Sequence, residues 1–101
     1  MLLCVDAGNT NVVFAVADGQ GVFTQTFRIH TNDRHTADEY ASWLAPLLSN
    51  GGVSFSDLTG MVVSSVVPAL DFALGRLAEK YLQVKAQFIG RDIDHALKLD
   101  L

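Results

Sequence analysis

The sequence Asp6-Ala7-Gly8-Asn9-Thr10-Asn11 lies between two short apolar runs, Met1–Val5 and Val12–Val16, at the start of the chain. This arrangement predicts a strand, a tight polar loop and a second strand. Glycine in the loop allows a ligand to approach the backbone closely. The asparagine and threonine side chains add amide and hydroxyl donors to those of the main chain. The loop is therefore a candidate binding element.

Two interpretations of this loop stay open on its residue types alone. A concave set of donors suits phosphate oxygens, and Asp6 is suited to hold a hard cation or its waters at the mouth of the loop. However, glycine, asparagine and aspartate are also the usual residues of a plain hairpin turn. The loop has more polar side chains than a two-residue turn needs, which keeps the phosphate-binding interpretation open.

The bulk composition limits the classes of protein to consider. A length of 101 residues predicts one domain, and 50% apolar with 18% charged residues is typical of a globular chain. The formal net charge of −4 argues against a general nucleic-acid or anionic-membrane surface. We find no run long enough to span a membrane, no signal peptide, and one cysteine, which excludes an intrachain disulfide. The expected location is the cytoplasm, with no nucleic-acid or membrane partner.

The next segments predict two further elements. Asp18-Gly19 is a hairpin signal. The two-residue period over Val22–Ile29 predicts a third strand with one buried face, which carries Phe23, Gln25, Phe27 and Ile29. Thr36 and Glu39 have the spacing of a capping box, and a helical apolar pattern follows them. We expect Pro46 to kink or shorten this helix, and Asn50-Gly51-Gly52 to end it.

The remaining segments complete an alternating order. Gly60–Ser65 predicts a strand buried on both faces, Pro68 suits the first turn of a second helix, and Val84–Phe88 predicts a last strand. The fold class is therefore α/β, with a ribonuclease-H-like β-β-β-α-β-α-β order and a mixed five-stranded sheet with helices on its faces. In this layout the first strand is central and the fourth runs parallel to it. The loop after the fourth strand, Ser64–Pro68, then opens on the same side as Asp6–Asn11.

Three segments in this order resemble the type III pantothenate kinases, a family in the actin, sugar-kinase and Hsp70 class of phosphotransferases. They are Asp6–Asn11, the segment Arg28–Tyr40 leading into the first helix, and Ser64-Ser65-Val66-Val67-Pro68. The resemblance extends from Leu2 to about Leu101. It implies ATP-dependent phosphorylation of pantothenate to 4′-phosphopantothenate, the first step of coenzyme A biosynthesis.

The resemblance also implies roles for individual residues. Asp6 would lie by Mg²⁺ and its waters, and the loop would hold the phosphates of ATP. The expected ATP-binding residues are Asp6, Ala7, Gly8, Asn9, Thr10, Asn11, Val12 and Val13. The physics agrees with these roles of the loop and the metal, because phosphoryl transfer depends on positioning and charge neutralisation. For Ser64 and Ser65 two interpretations stay open: they end the fourth strand, or their position beside the loop brings them into contact with the substrate.

The chain departs from the family in its extent. The kinases of this family have two such lobes, and the second provides the catalytic base on a G-x-D-R segment, a second phosphate loop and a K⁺ or NH₄⁺ site. Gly90-Arg91-Asp92 differs in order and place from that segment. We therefore interpret residues 1–101 as a single N-terminal lobe with no catalytic base, inactive by itself, and expect a homodimer for the full-length protein.

Two alternatives stay open from the sequence. One is a non-catalytic accessory or regulatory factor, because the family has relatives of that kind. The other is a kinase of the same superfamily with another acceptor, such as a sugar or a carboxylate. The complete loop favours retained nucleotide chemistry, and the Thr36–Tyr40 and Ser64–Pro68 segments favour pantothenate as the acceptor.

Overall fold

The computed structural model describes residues 1–89 of the chain. Within them a single sheet carries five strands, which are β1 (Leu2–Ala7), β2 (Asn11–Ala17), β3 (Phe23–His30), β4 (Gly60–Ser65) and β5 (Ala86–Ile89). The Gly90-Arg91-Asp92 sequence lies outside the described residues.

The sheet has the order β3-β2-β1-β4-β5, with β1 at its centre. β1 pairs antiparallel with β2 and parallel with β4, while β2–β3 is antiparallel and β4–β5 is parallel. The expected central first strand and the mixed five-stranded sheet are thereby confirmed. The strand bounds differ at the first loop, because the β1–β2 ladder extends through Ala7 and Val12. Asp6, Ala7 and Asn11 therefore belong to strands rather than to the loop.

Helical segments connect β3 to β4 and β4 to β5. They are α1 (Ala37–Asn50), a 3₁₀ turn (Phe55–Asp57), a second 3₁₀ turn (Pro68–Leu70), α2 (Asp71–Leu77) and a π-helical turn (Ala78–Leu82). Both α-helices pack on the same face of the sheet. This follows from topology, since two right-handed crossovers that advance in one direction along parallel strands place their helices on one side. None of the helices within residues 1–89 is long and apolar enough to cross a bilayer.

The predicted capping box begins α1. The Glu39 N–H donates to Thr36 Oγ1 at 3.1 Å, and the Thr36 N–H donates to Glu39 Oε1 at 2.8 Å. Of the two expected effects of Pro46, a kink or a shorter helix, the shortening is wrong, because the helix continues to Asn50. Leu44 and Leu48 on either side of Pro46 are fully buried, and this burial outweighs the one backbone hydrogen bond that a proline cannot make.

The second crossover, the helical segment between β4 and β5, is irregular. Pro68 starts it as expected, but the helix changes from 3₁₀ to α to π geometry along its length. It ends at Gln83, which has a left-handed backbone with φ of 58°. Its buried side is apolar and consists of Leu70, Leu74, Leu77, Ala78 and Leu82.

The main core lies between the sheet and the helices. On β1 and β2 it takes alternate residues, which are Leu3, Val5, Ala7, Val12, Phe14 and Val16. The intervening side chains belong to the other face, where Cys4, Ala15 and Ala17 form a smaller buried group. Burial raises the pKa of the Cys4 thiol, as expected for a cysteine that serves as a small apolar residue.

A polar contact ties the start of α1 to the end of the second crossover. Asp38 Oδ1 accepts hydrogen bonds from Lys80 Nζ at 2.8 Å and from Tyr81 Oη at 2.5 Å. The hydrogen bond from Lys80, followed by that from Tyr81, lowers the pKa of the Asp38 carboxyl from its ordinary value. The contact lies at the surface, where salt screens it.

Replacing Asp38 by asparagine should lower the melting temperature at neutral pH. It should also make the melting temperature less dependent on pH in the acid range. A folded-state pKa below the unfolded value contributes stability above about pH 4, which is lost as the pH falls through the folded pKa. We expect the difference in melting temperature between wild type and Asp38→Asn to be modest at pH 7 and to decrease towards zero in acid. Thermal unfolding followed by circular dichroism measures it.

Asp33→Asn is the matched control, because Asp33 is exposed and makes no ion pair or hydrogen bond through its carboxylate within residues 1–89. A difference between wild type and Asp38→Asn that is the same at all pH values would contradict the role of the Asp38 carboxylate.

Candidate phosphate-binding site

A tight turn joins β1 to β2 at the carboxyl end of β1. The Gly8 N–H donates to the Asn11 carbonyl at 2.9 Å, which leaves Asn9 and Thr10 exposed at the tip. A Cβ at position 8 would lie 3.3 Å from the Asn11 carbonyl oxygen, which is a tight contact. The turn is therefore close-packed at its base, with its polar tip open to solvent.

Thr31 holds this turn from the side. Its Oγ1 donates to the Gly8 carbonyl at 2.6 Å, and its N–H donates to the Thr10 carbonyl at 2.9 Å. Thr31 follows the last residue of β3, where His30 pairs with Asn11. Sequence reasoning gave Thr31 no role of its own, because it lies 23 residues from Gly8 and only the β2–β3 register brings the two together.

Asp6 lies one residue before the end of β1, on the sheet face opposite the helices. Its neighbours in the ladder are Val13 on β2 and Ser64 on β4, so the three share one row across the sheet. The Asp6 side chain is half-buried and makes no hydrogen bond or ion pair with any group of residues 1–89. Its carboxylate is therefore available to a ligand.

The two serines at the end of β4 differ in their surroundings. Ser64 is half-buried and lies beside Asp6, so its hydroxyl is placed to contact a ligand held there. Ser65 is 8% exposed, and its Oγ donates to the Val67 carbonyl and accepts from the Val67 N–H, both at 3.1 Å. Ser65 thus shapes the loop that leaves β4.

The other residues expected at the site divide between core and surface. Ala7 and Val12 are buried among the helix-side core residues, so their side chains face away from Asp6. The Ala7 carbonyl accepts from the Val66 N–H at 3.0 Å, which joins the β4 loop to the end of β1. Val13 lies in the Asp6 row, and Asn11 begins β2 in a half-buried position.

An open pocket of about 660 Å³ adjoins the turn on the β3 side. It is lined by Ile29, His30, Thr31, Asn32, Asp33, His35 and Val67. Thr31 contacts both the pocket and the turn, and Val67 belongs to the loop after β4. The two loops predicted to open on the same side therefore do so, and a pocket adjoins them.

The donor set determines which metal the site could hold. Residues 1–89 contain no group of three or more histidine, cysteine, aspartate or glutamate side chains placed to bind a metal. A single carboxylate beside a hydroxyl is too small a set for zinc or calcium. It fits Mg²⁺, which keeps several waters and is bound by one or two carboxylates together with substrate phosphates.

Comparison with known proteins identifies the family. The family model described as type III pantothenate kinase matches residues 2–101, which is nearly the whole chain. The chain belongs to the type III pantothenate kinase family. Its relatives include type III pantothenate kinases from Bacillus cytotoxicus (40% identical over 98% of this chain), Zymomonas mobilis (42% over 100%) and Phenylobacterium zucineum (44% over 93%). The chain spans only 36–37% of the length of these relatives.

Solved structures with a similar fold agree with the ribonuclease-H-like assignment of this pantothenate kinase family member. A Porphyromonas gingivalis protein described as an N-acetylglucosamine kinase matches 87% of this chain and 34% of its own, with a TM-score of 0.58 and 16% identity. A ROK family protein from Streptococcus pneumoniae, in complex with sucrose, matches 86% and 34%, with a TM-score of 0.53 and 16% identity. At this identity the likeness concerns the fold alone.

Replacing Thr31 by valine, whose side chain has nearly the same size but no hydroxyl, should loosen the turn. Loss of the hydrogen bond to the Gly8 carbonyl should lower the free energy of unfolding by about 1 kcal/mol. The Gly8 and Thr31 amides, whose N–H groups donate to the Asn11 and Thr10 carbonyls, should exchange with solvent faster than in wild type. Chemical denaturation and amide hydrogen exchange measure the two effects.

Thr31→Ser keeps the hydroxyl and is the matched control, expected to retain most of the protection of the turn. Equal exchange rates at Gly8 and Thr31 in wild type and Thr31→Val would show that the Thr31 hydroxyl does not hold the turn.

Proposed function

We propose that this chain is the N-terminal, ATP-phosphate-binding lobe of a pantothenate kinase, which catalyses ATP + pantothenate → ADP + 4′-phosphopantothenate. The observation that carries the proposal is the available carboxylate of Asp6, which lies beside Ser64 and two residues before the Gly8–Thr10 turn. Family membership supports the choice of reaction. In open sheets with parallel strands, ligands bind beyond the carboxyl ends of the strands, and both Asp6 and Ser64 lie there.

The reaction requires positioning more than covalent chemistry from the protein. A bond forms between the pantothenate hydroxyl oxygen and the γ-phosphorus, while the bond from that phosphorus to the β–γ bridging oxygen breaks. The hydroxyl proton passes to a base, and the bridging oxygen leaves on ADP. Charge develops on the phosphoryl oxygens, so oriented donors and a cation lower the barrier.

Residues of this chain fit the phosphate side of that reaction. The exposed turn at Asn9 and Thr10 would direct side-chain and main-chain donors at phosphate oxygens. Asp6 would hold Mg²⁺ through its carboxylate or through a bound water. When bound, Mg²⁺ neutralises charge on the phosphates of ATP. Thr31 would keep the turn in its binding shape through the Gly8 and Thr10 carbonyls.

The remaining parts of the site are proposed for a second lobe. That lobe would supply the base that accepts the pantothenate proton and a site for K⁺ or NH₄⁺. The full-length protein would form a homodimer in the cytoplasm, with the second lobe supplying the dimer interface. The share of the relatives' length that the chain spans is consistent with one lobe of two.

Asp6→Asn in the protein that carries both lobes should abolish turnover while leaving the fold intact. The amide keeps the size of the side chain but removes the charge that holds Mg²⁺. We expect a loss of kcat of at least about 100-fold, because a charged group acting directly on the transition state contributes on that scale. Coupled measurement of pantothenate-dependent ADP formation, with circular dichroism for the fold, tests it.

Glu79→Gln is the control, because the exposed Glu79 carboxylate pairs with Arg76 in the helical layer and not at the candidate site. Unchanged turnover in Asp6→Asn would remove Asp6 from the mechanism. Wild-type protein that binds ATP without phosphorylating pantothenate would favour the regulatory alternative, and phosphorylation of another acceptor would favour the other kinase.

The 101-residue chain by itself should bind phosphate ligands but should not turn over. The base that accepts the pantothenate proton is proposed for the second lobe, so the chain alone lacks one reacting group. Radiolabelled transfer from ATP to pantothenate measures this. Phosphopantothenate formed by the chain alone at an enzyme-like rate would contradict the two-lobe proposal.

A further inference from the structure

Positive charge strengthens phosphate binding, and the turn supplies none from its side chains. The segment Asp6–Val13 contains no lysine, arginine or histidine. Mg²⁺ would neutralise only part of the charge of a triphosphate. A protein cation near the turn would therefore complete the site, since sites for phosphoryl transfer combine metal ions with arginine or lysine.

Residues 1–89 contain five lysine and arginine side chains, and their positions show which of them could reach the turn. Arg76 pairs with Glu79 at 3.2 Å, and Lys80 pairs with Asp38 at 2.8 Å, both on the helical layer. Lys85 precedes β5, whose first residue pairs with Met61 near the start of β4, at the end of the sheet away from the turn. Arg28 and Arg34 remain.

Arg28 lies in the same row of the sheet as Asp6. Val13 is the ladder partner of Asp6 on one side and of Arg28 on the other. The neighbours of Arg28 on β3, Phe27 and Ile29, pack against the helix-side core, so alternation places the Arg28 side chain on the opposite face. That is the face of Asp6 and Ser64.

One strand separates the two charged residues. Two strand separations place the Arg28 and Asp6 backbones about 10 Å apart, with Val13 between them. The Arg28 guanidinium makes no ion pair or hydrogen bond within the part of the chain that the structure describes. Arg28 is thus exposed and unpaired among these residues, on the face where the phosphates would lie.

We propose that Arg28 is a phosphate-binding residue, which contacts the terminal phosphates of a nucleoside triphosphate from the β3 side of the turn while Asp6 holds their metal ion. The inference rests on the proposed function, and it assigns a residue of β3 to that site. Arginine suits this role because its planar guanidinium donates two parallel hydrogen bonds to phosphate oxygens and stays charged at all working pH values.

Titration of the ¹⁵N-labelled 101-residue chain with magnesium tripolyphosphate tests the proposal without requiring turnover. Wild type should show saturable shifts of the Gly8, Asn9 and Thr10 amide signals. Arg28→Gln should weaken binding by about tenfold or more, the effect of losing a charge-assisted hydrogen bond. Arg28→Lys should lie between the two, because it keeps the charge but not the paired donors.

Arg34→Gln is the matched control, because it removes the same charge from an exposed residue of the β3–α1 loop that is outside the row. It should change the affinity by less than about twofold at physiological salt, where the Debye length is about 8 Å. Unchanged melting temperatures and amide spectra would show that Arg28→Gln leaves the fold intact.

If Arg28→Gln and Arg34→Gln weaken binding equally, or if neither variant weakens it, the role of Arg28 is overturned. The turn would still bind phosphate in that case, so the proposed function would stand. Absence of shifts at Gly8, Asn9 and Thr10 in the wild-type chain would overturn both the role of Arg28 and the phosphate-binding role of the turn.

Discussion

The position of β1 at the centre of the sheet is the constraint on which the rest of this structure depends. β1 is paired along both edges, antiparallel to β2 and parallel to β4, so its backbone hydrogen bonds are shared with two very different parts of the chain. A slip of one residue in either ladder would exchange the two faces of the strand. Leu3, Val5 and Ala7 would then leave the helix-side core, and Asp6 would enter it. Burial of an uncompensated carboxylate in an apolar core is strongly unfavourable, which helps to specify the register.

The same register produces the site. Because parallel strands end at the same edge, the turn after β1 and the loop after β4 lie next to each other, and the Ala7 carbonyl bonds directly to the Val66 N–H. The β2–β3 ladder then brings Thr31 to the Gly8 carbonyl. Each loop is short and tied to a neighbouring strand, so the donors of the turn are pre-organised. Pre-organisation matters for phosphoryl transfer, because donors already in place need no reorientation when charge develops.

Both helices lie on one face of the sheet, so the larger core and the candidate site residues lie on opposite faces. The helix-side face holds the larger group of buried residues, together with the aromatic contacts of Phe14 with Tyr40 and Trp43 at centroid distances of 5.7 and 5.6 Å. The opposite face carries Asp6, Ser64 and Arg28 near the carboxyl ends of their strands. The polar groups of the proposed site therefore lie outside the larger core. The Asp38 contact with Lys80 and Tyr81 joins the two helical segments at the surface, far along the chain from the turn.

The sequence by itself determined the order of elements, the capping box of α1, the alternation in β3 and the family, because each depends on residues that are near neighbours along the chain or on a recognisable motif. It also placed the loop, although not its bounds, since the extension of the ladder through Ala7 depends on packing. Only the tertiary structure decided that Ser64 rather than Ser65 lies beside Asp6, that Thr31 holds the turn, and that Arg28 shares the row of Asp6. The physical reason is register. Local propensity identifies a strand, but pairing across the sheet decides which residues share a row and a face, and that pairing depends on the burial of the whole core.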